Sequence, residues 1–370
     1  MIIDPHVHLR DWEQIDKESL YHGMESAMLC GVCALFDMPN CQPPLIDEYH
    51  VRRRLSDAAG AAAALSARAK KATPFYALYG GLTSDGDQVA GMVALWRELF
   101  PRVIGMKLFA GRSTGSLAVV EKERQEAIWE RLARESYKGL VAVHCEKEGL
   151  FSPELWDPAK PSTHSLARPE EAEAASVADQ IASARLAGFS GTLHICHISS
   201  PDALRLVEEA RRASADGELS FRITCGATPH HLLLDSSLVP EGEEGLLFKV
   251  NPPLRSPESR SVLWDALVSG RIDWIESDHA PHRIDDKRKG FASGLPSLVA
   301  WPLLIREMRR VGMSEEKIEM LTAGNAIRSF GLESGELPDY PKEGDGSVDA
   351  AVQALCGRYE ANGWSRYLTF

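Results

Sequence analysis

The sequence predicts an α/β fold, a (β/α)₈ TIM-type barrel. Short apolar and β-branched runs alternate with longer stretches of helical periodicity, which is the signature of repeated βα units on a parallel sheet. Eight such runs can be counted. Polar residues of chemical interest fall near the C-terminal ends of several of them, where a barrel of this kind carries its chemistry. Length alone would not decide, because 370 residues fit two ordinary domains as well as one large barrel.

In chain order the strand-like runs are Ile2 to Leu9, Val32 to Met38, Phe75 to Gly81, Val103 to Phe109, Leu140 to Cys145, Thr192 to Ile198, Phe221 to Ala227 and Ile272 to Ser277. Helical candidates lie between them at Asp47 to Lys70, Val89 to Phe100, Lys122 to Tyr137, Pro169 to Leu186, Pro201 to Ala213 and Pro257 to Val268.

The formal charge of −12 argues against nucleic acid or an anionic membrane as partner, since both need clustered Lys and Arg. The run Arg52-Arg53-Arg54 is short and lies in a helical stretch, so it reads as a solvated helix face. No stretch approaches the roughly 18 apolar residues of a membrane helix, and Met1-Ile2-Ile3-Asp4 lacks the order of a signal peptide, so a soluble, cytoplasmic protein is expected. Seven scattered cysteines fit reduced core thiols, none of them catalytic.

The opening Asp4-Pro5-His6-Val7-His8-Leu9-Arg10 places two imidazoles on one face of a strand, half of a metal site. In a closed barrel the first and eighth strands are neighbours, so Asp278 would approach His6 and His8, and an Asp with two His is ordinary zinc ligation. Lys107 lies inside an apolar strand, where an unpaired charge costs several kcal/mol. Either its amine snorkels to solvent, or it reacts with carbon dioxide to give a carbamate that bridges two ions, with His144 and His197 completing the second.

These residues sit in a longer series. Met38-Pro39-Asn40, Gly105-Met106-Lys107-Leu108-Phe109, Val143-His144-Cys145-Glu146 and His194-Ile195-Cys196-His197-Ile198-Ser199 follow the opening motif. After them come Thr228-Pro229-His230-His231-Leu232, Asn251-Pro252-Pro253-Leu254-Arg255, Ser277-Asp278-His279-Ala280-Pro281-His282 and Asn325-Ala326-Ile327-Arg328. Between Asp4 and about Leu332 the chain thus resembles the dihydroorotases of the amidohydrolase superfamily.

The resemblance implies a barrel of the metal-dependent amidohydrolase kind that interconverts L-dihydroorotate and N-carbamoyl-L-aspartate in pyrimidine (UMP) synthesis. It implies two zinc ions, one on His6, His8 and Asp278 and the other on His144 and His197, bridged by carboxylated Lys107. Asp278 would also be the general base and then acid. Arg10, Asn40 and His282 would bind the substrate carboxylate, which related cyclic amidases such as hydantoinases do not require, and Asn251 would contact the ring. Arg10 as a surface ion pair and Asn40 as a turn residue are the plainer alternatives. A hydantoinase-like or allantoinase-like amidase, and a non-catalytic scaffold subunit, are the competing functions. The resemblance is compatible with a homodimer or with association with another pyrimidine enzyme.

Among the remaining histidines, His194 and His197 would point oppositely on a regular strand, so only His197 is taken as a ligand. His230 and His231 are expected to orient their loop. The polar, Gly-flanked stretch Gly111 to Ser116 suits a mobile lid or a plain connector equally. The early Asp4 leaves no room for the family's small β-sandwich, and Gly344 to Asp349 is loop-like. One barrel over 1–332 with a tail, 333–370, packing on it is therefore expected.

Overall fold

A computed structural model gives the structure, which describes residues 1–113, 115–333, 335, 337–338 and 352–367. Eight parallel strands follow one another around a barrel in sequence order. They are β1 (Ile3–Val7), β2 (Ala34–Asp37), β3 (Phe75–Gly81), β4 (Val103–Phe109), β5 (Leu140–His144), β6 (Thr192–Ile195), β7 (Arg222–Ala227) and β8 (Trp274–Ile275). Apart from Arg222 every strand residue is buried, as parallel strands covered on both faces require. The ring closes where His8 N donates to His279 O at 2.8 Å and Val7 bridges to His279.

The outer helices are α1 (Leu20–Leu29), α2 (Glu48–Ala69), α3 (Gly86–Leu99), α4 (Lys122–Arg134), α5 (Glu170–Leu186), α6 (Pro201–Ala215), α7 (Pro257–Ser269) and α8 (Ala300–Arg310). Their starts are written in the sequence. Ser19, Asp47, Asp85, Ser200 and Ser256 each accept a backbone N–H of the first turn, with Pro201 and Pro257 placed where no donor is needed. The expected helices correspond to α2 through α7, while α1 and α8 add one each before β2 and after β8.

At the N-terminal end the barrel is stoppered by Phe330, whose ring lies 5.0 Å from Phe36, 5.7 Å from Trp274 and 6.3 Å from Tyr79. The opposite end is where the loops carry polar groups. Of the expected tail, Val352, Leu355, Tyr359 and Trp364 are buried against the main core, whereas Gly344 to Asp349 lie outside the described residues. No disulfide joins the seven cysteines, all of which are buried.

Candidate active site

The C-terminal ends of the strands bring the expected residues to one place. His8 follows the end of β1, and its Nε2 lies 3.0 Å from Asp278 Oδ1; His6 Nε2 lies 3.3 Å from the same oxygen. His8 Nδ1 donates to Asn40 Oδ1 at 2.6 Å, so a neutral His8 turns the lone pair of Nε2 toward the carboxylate. Acceptors facing one another across 3.0–3.3 Å are reconciled by a cation between them.

A second convergence joins β5 and β6. His144 Nδ1 and His197 Nε2 lie 3.2 Å apart, and the His6 and His197 rings are 5.2 Å apart, centre to centre. The other nitrogen of His144 lies 3.0 Å from Glu146 Oε2, and Arg168 in turn grips both oxygens of Glu146. Lys107 is fully buried, with Nζ donating to Cys196 Sγ at 3.1 Å and standing 4.9 Å over the Phe109 ring. Among the described residues no carboxylate forms an ion pair with it, and it does not reach solvent, so the snorkelling alternative is overturned.

Protonation suits metal ligation. Burial, and then the charge of Lys107, push His6 down to about 4. Burial likewise lowers His8 and His144, and it carries His197 well below the usual range with help from His144 and His6. Neutral imidazole is the ligating form. Burial pushes Asp278 up, but the adjoining His8 and His6 outweigh it and hold the carboxyl low. These donors fit the two divalent ions that the motifs imply, and His6, His8 and Asp278 have ligand atoms close enough to share one.

Two local geometries depart from a simple strand. Arg10 would share the face of His8 only on a continuing strand; β1 stops at Val7, and Arg10, Asp11 and Trp12 all have positive φ, of 46°, 61° and 50°. The left-handed run still turns Arg10 inward, where it is buried, donates from Nε to Pro281 O at 3.3 Å and has Nη2 3.3 Å from His282 Nε2. It is therefore not a surface ion pair. His197 also has a positive φ, 37°, beyond the end of β6 at Ile195, and its ring meets those of His144 and His6, whereas His194 within β6 faces Thr224, Glu276 and Trp274. For non-glycine residues each such turn costs roughly 1–2 kcal/mol and persists only where its surroundings hold it.

Asn40 contacts His8, and His282 Nε2 also lies 3.0 Å from Ser293 O. Asn251 stands further out in the mouth, its amide nitrogen within 2.8 Å of His164 Nε2 and its oxygen accepting from Arg168 Nη1 at 3.2 Å. In the connector after β4, Thr114 lies outside the described residues, and Gly115 has φ 107°, where an added Cβ would stand 3.3 Å from Asn40 Cβ.

No family model matches the chain. Curated relatives do: the dihydroorotase of Methanothermobacter thermautotrophicus is 34% identical over 340 residues, 90% of this chain and 70% of that protein. The dihydroorotase of Brevibacillus brevis is 32% identical, over 91% of this chain and 74% of that protein. The chain belongs to the dihydroorotase family.

Solved structures agree on the fold of this dihydroorotase family member. The L-hydantoinase of Arthrobacter aurescens superposes with a TM-score of 0.75 at 21% identity, covering 89% of this chain and 70% of its own. The dihydroorotase of Campylobacter jejuni does so with 0.64 at 18%, covering 91% and 85%. Within the candidate site, sequence reasoning passed over Glu276, Glu146 and Arg168. Glu276 carried a usable signal, a carboxylate inside an apolar run and two positions before Asp278. His230 is buried with Nδ1 3.3 Å from Ser297 Oγ, and its neighbour His231 Nδ1 lies 2.8 Å from Thr228 Oγ1, so both do brace the loop after β7.

Proposed function

We infer that this protein hydrolyses the cyclic amide of L-dihydroorotate reversibly to N-carbamoyl-L-aspartate, the dihydroorotase reaction of pyrimidine synthesis, and that it does so with two zinc ions. The observation that carries this reading is the convergence of His6, His8, Asp278, His144 and His197 on one end of the barrel around buried Lys107. His6, His8 and Asp278 would hold one ion and His144 and His197 the other. Lys107 would bridge them as its carbamate, formed when the neutral amine attacks carbon dioxide and loses a proton. Bound there, the ions supply an acidified water and polarise the amide carbonyl.

The protein groups do the rest. Asp278, 3.0 Å from His8 Nε2 and 3.3 Å from His6 Nε2, accepts the proton of the attacking water and returns it to the departing ring nitrogen. His8, fixed by Asn40 on its far nitrogen, keeps its ring aligned. Arg10 is a buried guanidinium that, among the described residues, hydrogen-bonds a carbonyl and an imidazole, and a substrate carboxylate would supply its counter-anion. Asn40 and His282 flank it, and Asn251 meets the ring from the mouth.

That arginine separates dihydroorotate from the carboxylate-free rings of hydantoinases, whose likeness to this chain is one of fold. A scaffold without activity is disfavoured because all six ligand positions are filled by competent residues. A cytoplasmic location is part of the same reading; among the described residues no helix is long and apolar enough to cross a membrane. The test is metal content and dihydroorotate turnover, with zinc and bicarbonate supplied, for the wild type and Lys107→Ala. Two zinc ions and turnover, both reduced in the variant, are expected. A metal-free, inactive wild type would overturn the reading.

A further inference from the structure

Beneath the converging histidines lies a carboxylate that the reaction itself does not use. Glu276 is buried just past β8, and each of its oxygens has work. Oε1 accepts from His197 N at 2.5 Å and lies 3.6 Å from His6 Nδ1. Oε2 lies 3.0 Å from His194 Nε2 and accepts from Trp274 Nε1 at 3.2 Å, and the His194 ring stacks 4.3 Å from that of Trp274. One side chain thus touches the left-handed turn that presents His197, the ring of His6, and the histidine below them.

The space for it comes from the neighbouring strand. Gly226 on β7 pairs with Trp274 on β8, and a Cβ at position 226 would stand 2.5 Å from Glu276 Cδ and 2.6 Å from its Oε2. Gly226 does not have a left-handed φ, so its backbone is open to any residue, and the three atoms nearest to that Cβ all belong to Glu276. The Cβ-to-Cδ span of a glutamate, two C–C bonds, is itself about 2.5 Å. A glutamate rooted at 226 would therefore bring its carboxyl carbon to the place that Glu276 now fills.

We propose that Glu276 is a positioning residue of the metal centre, its carboxylate fixing the His197 turn and the His6 ring, and that the centre requires this carboxylate irrespective of whether β7 or β8 supplies it. The proposal rests on the reading that His6 and His197 hold metal. Groups that orient metal ligands typically contribute 10- to 100-fold in affinity or activity, so Glu276→Ala is expected to weaken zinc binding about 10- to 100-fold. Its kcat should fall by a like factor with KM for dihydroorotate little changed.

The experiment compares wild type, Glu276→Ala, Glu276→Gln and the double variant Glu276→Ala/Gly226→Glu. Zinc affinity is read by chelator competition and the ligand field by the visible spectrum of the cobalt-loaded proteins, beside kcat and KM. Expected are a shifted cobalt spectrum and weakened zinc in Glu276→Ala, and recovery of both to within about tenfold of wild type in the double variant. Wild-type zinc affinity and spectrum in folded Glu276→Ala would overturn the proposal, as would a folded double variant no better than the single one. If Glu276→Ala does not fold, Glu276→Gln carries the test by shape: unaltered zinc affinity in it overturns the proposal, and weakened affinity supports it. Turnover and two zinc ions in the wild type keep the hydrolase reading standing whichever way the variants fall, whereas a metal-free wild type removes both.

Discussion

Arg54 and Asp37 form a fully buried ion pair, Nη2 to Oδ2 at 2.6 Å, directly behind Arg10. Arg54 Nη1 also donates to Arg10 O at 2.9 Å, Asp37 Oδ1 accepts from Leu9 N at 3.0 Å, and Tyr76 donates to Asp37 Oδ2 at 2.7 Å. The pair is thus a clamp on the backbone of the left-handed run that turns Arg10 inward. Arg54→Met leaves the Asp37 charge buried and unpaired, and is expected to cost about 3–5 kcal/mol in urea unfolding. Unchanged stability would show that the clamp is dispensable.

For Arg10 itself the expected effect depends on the substrate. A charge-assisted hydrogen bond contributes about 1.5–3 kcal/mol, so Arg10→Met should lower kcat/KM for dihydroorotate by roughly 10- to 150-fold. Hydrolysis of a dihydropyrimidine lacking the carboxylate should be little affected. Equal losses on both rings would assign Arg10 to the architecture of the mouth instead of to carboxylate recognition.

The strands were legible in the sequence because both faces of a parallel barrel strand are buried and read as apolar runs; β3 and β4 match their expected limits, Phe75–Gly81 and Val103–Phe109. The residues that converge at the candidate site were legible because each interrupts or ends such a run. The eighth run, expected over Ile272 to Ser277, forms a regular strand only at Trp274–Ile275, since Glu276 turns inward to its histidines and Asp278 has φ 47°. Left-handed backbone at Arg10, Asp11, Trp12, His197 and Asp278 left no trace in the sequence, because glycine or asparagine ordinarily announces such turns and none stands there. The reach of Arg10 was therefore beyond a reading by strand alternation.

Acid should loosen the seam between β1 and β8. Buried Glu18 accepts from Tyr359 OH at 2.7 Å and lies 2.9 Å from His279 Nε2 and 3.0 Å from His22 Nδ1. Burial raises its pKa, but His279 and His22 outweigh burial and bring it from 4.5 down to about 2. A depressed carboxyl stabilises the fold fully above its unfolded value near 4.5, and that contribution is lost as pH falls toward 2. Glu18→Gln should cost on the order of 3 kcal/mol at pH 7, and the gap from wild type should narrow between pH 5.5 and 3 in denaturant titrations. A gap independent of pH would exclude this linkage.

At the stoppered end, Phe330→Ala should cost about 3–5 kcal/mol, because Phe36, Trp274 and Tyr79 cannot all collapse into the space it leaves. Thermal unfolding would check this, and a loss below about 1 kcal/mol would mean that the floor repacks.

The closure of the ring sets an order of events during synthesis. His8 meets Asp278 across 270 residues of chain. At ribosomal rates of 5–20 residues per second the two imidazoles of the opening motif emerge roughly 15–50 s before their carboxylate partner. A nascent chain therefore carries both histidines before the strand that brings Asp278 to them has been made. On the reading that these residues hold zinc, the centre is assembled only after β8 has been made.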